Sequence, residues 1–151
     1  AWVDRGINDY PLSASTDYYL YDHEFGLDDG STTPPQAITA HIESSQIDLG
    51  DGDKFVFMRR VIPDVTFDGS TSTAPAANFI LKTRNFPGGN YLNTETSAIT
   101  RSATVPVEQF TQQAHVRLRG RSFALRVEST AEEVQWRLGA PRVDIRPDGG
   151  Q

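Results

Sequence analysis

The sequence predicts an all-β chain, an antiparallel β-sandwich of Greek-key or jelly-roll type with about eight strands. Three observations lead there. The first is a strict alternation over residues 115–145. Val116 and Leu118 alternate with Arg117 and Arg119; Phe123, Leu125 and Val127 with Ala124, Arg126 and Glu128; Val134, Trp136 and Leu138 with Gln135 and Arg137. A period of two sends successive side chains to opposite faces of a pleated strand, so each run has one face on a core and one facing water or a partner. The second is the absence of any convincing helical period, with 12 glycines and 9 prolines supplying turns. The third is size: 151 residues suit one domain with a true core, and 10% aromatic content argues against disorder. A closed barrel is the alternative all-β architecture.

Taken in order, residues 1–16 read as an irregular lead-in, broken by Gly6, Asn8-Asp9 and Pro11, and residues 17–151 as the sandwich domain. A first strand is expected over 17–27 and a loop over 28–36, where glycine and a proline pair cannot sustain a ladder. A second strand is expected over 37–48, with Ile38, Ala40 and Ile42 on one face, then a tight turn at Gly50-Asp51-Gly52-Asp53. Residues 54–62 (KFVFMRRVI) form the most apolar strand, which places it centrally, with Pro63 at its end. Strands follow over 78–85 and, more weakly, over 96–107; residues 108–113 read as a turn or short helical bridge. The three alternating runs come next, and 142–146 closes the chain. Ile42-Glu-Ser-Ser45 is echoed by Val127-Glu-Ser-Thr130, as two equivalent strand ends would be.

Charge is distributed unevenly. The net charge is −6, yet residues 1–53 hold eleven acids and one base, Arg5, giving −10 and leaving +4 for the rest. Twelve of the 14 basic residues are arginine, whose planar fork suits carboxylates at interfaces. An acidic region and an arginine-rich one can steer copies together head to tail. The plainer reading is that both are solvated faces. With no cysteine there is neither a disulfide nor a thiolate metal site. No apolar run approaches the roughly 20 residues of a membrane-spanning helix. The start at Ala1 and the polar run-out over 147–151 suggest a C-terminal piece of a longer polypeptide.

The search for reaction chemistry finds little. His23, His41 and His115 are scattered, where a zinc site needs converging ligands. Asp48, Asp51 and Asp53 set three carboxylates within six residues, a spacing that can hold a hard cation such as Ca²⁺ and that also describes a hairpin turn. Glu24, Glu43 and Glu128 are the acids a sandwich-fold glycoside hydrolase would need. No Gly-x-Ser-x-Gly elbow is present. Arg117, Arg119, Arg121, Arg126 and Arg137 form the expected interface set; phosphate binding is their alternative use, disfavoured because no aromatic side chains are interleaved. No catalytic residue, metal or cofactor is expected.

Several stretches resemble the C-terminal region of tailed-bacteriophage structural proteins of the tail tube or nozzle kind. They are Ile42-Glu-Ser-Ser-Gln-Ile-Asp-Leu-Gly-Asp-Gly52, Arg59-Arg-Val-Ile-Pro-Asp64, Lys82-Thr-Arg-Asn-Phe-Pro-Gly-Gly89, Arg119-Gly-Arg-Ser-Phe-Ala-Leu-Arg-Val-Glu-Ser-Thr130 and Trp136-Arg-Leu-Gly-Ala-Pro-Arg-Val-Asp-Ile-Arg146. The resemblance covers most of residues 20–150. It implies a non-enzymatic virion protein, assembled in the host cytoplasm, whose partners are copies of itself in a ring, other tail proteins, and viral DNA passing through without specific binding. An acidic lumen would repel DNA phosphates, and the acids of residues 1–53 are the candidates to line it. A carbohydrate- or receptor-binding sandwich is the alternative, with Tyr18, Tyr19, Tyr21 and Phe25 as its only aromatic cluster; Tyr19, Tyr21 and Phe25 share strand parity and equally fit a core.

Overall fold

The computed structural model describes residues 1–4, 9–48, 52–92 and 100–148. Among these there is no helix, and every strand pairing is antiparallel. The chain is all-β. The fifteen strands among the described residues exceed the expected count because the N-terminal third is cut into two- and three-residue pieces; seven of them have four residues or more.

In chain order these are β1 (Trp2–Val3), β2 (Leu12–Ala14), β3 (Leu20–Asp22), β4 (Asp28–Asp29) and β5 (Gln36–Ala37). Then come β6 (Ala40–Glu43), β7 (Ile47–Asp48), β8 (Val56–Ile62), β9 (Val65–Thr66) and β10 (Ala76–Arg84). The last five are β11 (Ser102–Glu108), β12 (Ala114–Gly120), β13 (Ser122–Ser129), β14 (Arg137–Leu138) and β15 (Arg142–Pro147). A five-stranded sheet runs β11-β10-β13-β6, with β7 also on β13; a three-stranded sheet runs β12-β8-β15. The strand over 54–62 is central as expected, here as β8 between its two partners.

The two sheets close on one core. Phe79 and Leu81 of β10, at 0% exposure, pack with Met58, Val61, Val116, Leu118, Phe123 and Val127. Burial alternates residue by residue along β10 and β12, and along β12 this is the direct reading of the sequence alternation. Fully burying a side chain of this kind contributes roughly 1.5–3 kcal/mol.

One sharp corner joins the layers. β12 ends at Gly120 in the smaller sheet and β13 begins at Ser122 in the larger. The inward residues change parity there, from Val116 and Leu118 to Phe123, Leu125 and Val127. Arg121 N–H donates to the Arg84 carbonyl at 2.8 Å, pinning the corner. A Cβ on residue 120 would lie 2.8 Å from both the Arg84 oxygen and the Thr83 Cβ, so only glycine fits.

Elsewhere the expected strands are interrupted. The strand expected over 37–48 is three pieces: β5 pairs with β4 away from the β13 ladder, and Ser44 dislocates that ladder between β6 and β7. Its N–H donates to the Leu125 carbonyl at 2.8 Å, while its hydroxyl accepts from Leu125 N–H at 3.0 Å, substituting for a backbone carbonyl. The strand expected over 17–27 is only β3; Asp17 and Tyr18 belong to the turn before it, where Tyr18 takes φ 67°. Of the run containing Val134, Trp136 and Leu138, only β14 is strand, although all three side chains pack on the core. The two echoed segments are neighbours, not equivalents: Ile42 pairs with Val127 across the β6–β13 ladder. Residues 108–113 form a turn, closed by Thr111 N–H on the Glu108 carbonyl at 3.0 Å.

The N-terminal strands stand outside the sandwich. β1, β2 and β3 make a sheet of their own, whose β2–β3 hairpin spans residue 16, and β4 pairs with β5. Among the described residues of 1–39 only Pro11 is buried. Tyr18 is 100% exposed and Leu20 74%. Trp2 and Phe25 are exposed too, their rings 4.9 Å from those of His23 and Tyr10 respectively. The aromatic cluster expected to serve either a core or a binding row therefore forms no core.

Candidate assembly surfaces

Antiparallel sandwiches leave one face of each sheet free. The outer face of the smaller sheet is built from residues alternating with its core positions. Met58, Val61, Val116, Leu118, Val143 and Ile145 point inward. The three strands carry two arginines each: Arg59 and Arg60 on β8, Arg117 and Arg119 on β12, Arg142 and Arg146 on β15. Their one acid is Asp144. Arg60 sits opposite both His115 and Asp144, bonding the Asp144 carboxylate at 3.4 Å and Gln113 at 3.1 Å. Arg119 pairs with Asp148 and lies 4.0 Å over the Phe55 ring, with Arg121 over the same ring at 4.7 Å. Arg59, Arg117, Arg142 and Arg146 are exposed and make no ion pair among the described residues.

The outer face of the larger sheet is organised differently. Glu43 accepts from Lys82 at 2.9 Å and from Arg126 at 3.3 Å, and Arg126 also donates to Glu128 at 2.7 Å. These four groups come from β6, β10 and β13, adjacent in the sheet. The Lys82 ammonium, helped by Arg126, holds the Glu43 carboxyl below the usual carboxylate range against an opposing effect of burial. A general acid needs the opposite shift. Glu43 and Glu128 share one arginine and are arranged as ion-pair partners, while Glu24 lies among the N-terminal strands. Beside this cluster Arg84 donates to Gln46 at 2.5 Å and stacks 4.0 Å from the Tyr91 ring; Gln46 in turn donates to the buried Ser122 hydroxyl.

The five arginines expected to form one interface are thus divided. Arg117 and Arg119 share the smaller sheet's face and Arg121 sits at the corner beside them. Arg126 belongs to the paired network of the larger sheet, and Arg137 lies on β14, opposite Thr66. Arg59, Arg60, Arg142 and Arg146, which complete the basic face, were not in that set. The signal for them was present: Arg59-Arg60 falls inside the most apolar strand, and 142–146 alternates arginine with valine and isoleucine.

Of the three aspartates proposed for a cation turn, Asp48 and Asp53 are exposed, and Asp51 lies outside the described residues. Gly52 has φ 72°, as a turn requires. No cluster of three or more potential metal ligands occurs among the described residues. His23 shares a 2.6 Å hydrogen bond with the Ser13 hydroxyl across β2–β3; His41 and His115 are exposed. No described helix is long and apolar enough to cross a membrane.

Two concavities complete the surface. One, of about 300 Å³, is an apolar cleft between β6–β7 and the β14–β15 segment, lined by Ile42, Ile47, Phe123, Leu125, Leu138 and Val143. The other, of about 1000 Å³, lies among the N-terminal strands and is lined by residues that include Tyr21, His23, Phe25, Asp28 and Asp29. No family model matches the chain, and no curated protein matches it.

Proposed function

We propose that this protein is a structural subunit of a tailed-bacteriophage tail, a tube or nozzle component that closes into a ring around passing DNA. The observation that supports this reading is the pairing, on one chain, of two unlike surfaces. One is an arginine-rich face on a well-packed sandwich; the other is an acidic set of small sheets with almost nothing buried. Cyclic assembly joins two different patches per subunit, so it needs such a chain. The segments resembling tail proteins include the second half of β8, the β12–β13 corner and most of β15, which belong to the sandwich. The role is non-enzymatic, in the virion, with other tail proteins as neighbours; acids not paired between copies face the channel, where they repel DNA phosphates. Sedimentation velocity together with negative-stain imaging tests this. Closed rings of one subunit number are expected, and a protein that stays monomeric at every concentration overturns it.

A second reading has one observation in its favour. The 1000 Å³ concavity sets Phe25 and Tyr21 beside Asp28 and Asp29, aromatic and carboxylate groups of the kind that hold a sugar. A saccharide titration followed by tyrosine fluorescence tests it, and saturable binding to a monomer is the result that would favour it.

A further inference from the structure

We infer that the arginine face of β12-β8-β15 is the docking surface for the acidic N-terminal strands of a second copy of this chain. The inference rests on the ring reading and specifies which surfaces meet.

Charge is the first argument. The three strands present six arginines against Asp144. Residues 9–40 contain no lysine or arginine; of their acids Asp17, Asp28 and Asp29 accept hydrogen bonds from Tyr21, Glu133 N–H and Ser31 N–H, and Asp9 and Asp22 are exposed. Within one chain these two sets do not meet: none of β1 to β5 packs extensively on β8, β12 or β15. A basic sheet and an acidic hairpin that do not pack on each other in cis are complementary in trans.

The second argument is the aromatic content of the acidic region. Trp2, Tyr18, Tyr19 and Phe25 are all exposed. Guanidinium groups stack on aromatic rings, and this chain already uses that contact at Arg119 over Phe55 and Arg84 over Tyr91, both at 4.0 Å. A surface mixing carboxylates with exposed rings fits a field of arginines better than it fits duplex DNA, whose backbone offers phosphates alone.

Two charge-reversed full chains test the inference. Face-reversed chains carry Arg117→Glu and Arg142→Glu; strand-reversed chains carry Asp9→Arg and Asp22→Arg. All four sites are exposed. Sedimentation velocity at low salt is expected to show each variant alone associating at least about tenfold more weakly than the parent, since like charges then face each other. Mixed together they recover association, because each supplies the surface the other has lost, and recovery also shows that both are folded. Face-reversed chains that associate like the parent overturn the inference and leave the ring reading standing. A parent that never associates overturns both. Copies that join face to strand in open chains support the inference and remove the ring. A parent that shifts random-sequence duplex DNA, when face reversal abolishes that shift but leaves self-association unchanged, overturns the inference in favour of nucleic acid.

Discussion

Residues 1–39 and the sandwich that follows are built from similar proportions of apolar side chains, yet they use them in opposite ways. Along β10 every second residue is buried and Phe79 and Leu81 reach 0% exposure. Along β1, β2 and β3 no strand residue is buried, although Trp2, Val3 and Leu20 are among them. The difference is one of layers. A sheet is stabilised when its apolar face meets a second apolar face. The sandwich has two sheets; the N-terminal strands form small sheets in which no strand residue is buried, tied to the rest of the chain by Glu133 N–H on the Asp28 carboxylate at 2.7 Å. Backbone pairing alone leaves a two- or three-stranded ribbon marginal in water. The sandwich therefore stabilises itself, and under the proposed docking a second copy completes the N-terminal strands.

The largest test of this contrast is truncation of one residue in each region. Phe79→Ala removes a fully buried ring and is expected to cost about 3–5 kcal/mol. Tyr18→Ala removes a fully exposed one and is expected to change monomer stability by less than about 0.5 kcal/mol. Urea denaturation of the two variants measures both. Comparable losses would show that the N-terminal strands share in the core after all.

Two glycines give a finer version. Gly120→Ala forces a Cβ against the Arg84 carbonyl and the Thr83 side chain, and is expected to cost about 1–3 kcal/mol. Gly30→Ala meets nothing within 4 Å and needs no left-handed backbone, so its expected change is within about 0.5 kcal/mol. Thermal melts of the pair report it, and a neutral Gly120→Ala would mean that the corner can open.

How much of this was legible follows from what a two-residue period encodes. It separates inside from outside, so the inward positions of β12 and of Phe123 and Val127 on β13 could be read directly, as could the central place of β8, whereas Ala124, expected outside, is buried at 1% exposure. It does not say which of two outsides a residue faces. Arg119 and Arg126 carry the same pattern, but the chain changes sheets at Gly120 between them, and they end on different surfaces. The parity shift from Leu118 to Phe123 was the visible trace of that change. The break at Ser44 depends on a hydroxyl taking the place of a backbone group on a strand distant in sequence, which local pattern does not encode. Trp136 and Val134 are half-buried without forming a strand, since burial requires a neighbour rather than a ladder.

The smallest expected effect concerns acid. The Glu43 carboxyl titrates below its ordinary range, chiefly through Lys82 and then Arg126. A depressed folded-state value means that its stabilisation is complete above the unfolded-state value and fades as pH falls through the folded one. Glu43→Gln should therefore lower sandwich stability slightly at neutral pH, the loss being small because the cluster is about one-third exposed and screened by solvent, and the two chains should converge as pH falls, which flattens the variant's acid limb. Denaturation midpoints of parent and variant, compared from neutral pH downward, measure this; parallel curves would remove the cluster from the account.

Hydrogen exchange at two protein concentrations tests the central claim most directly. In dilute monomer, amides of β10 and β13 should be strongly protected and those of β2 and β3 should exchange nearly freely, and on assembly protection should appear across the N-terminal strands. Equal protection of β2 and β3 in the isolated monomer would contradict it, because the N-terminal strands would then be stable without a neighbour.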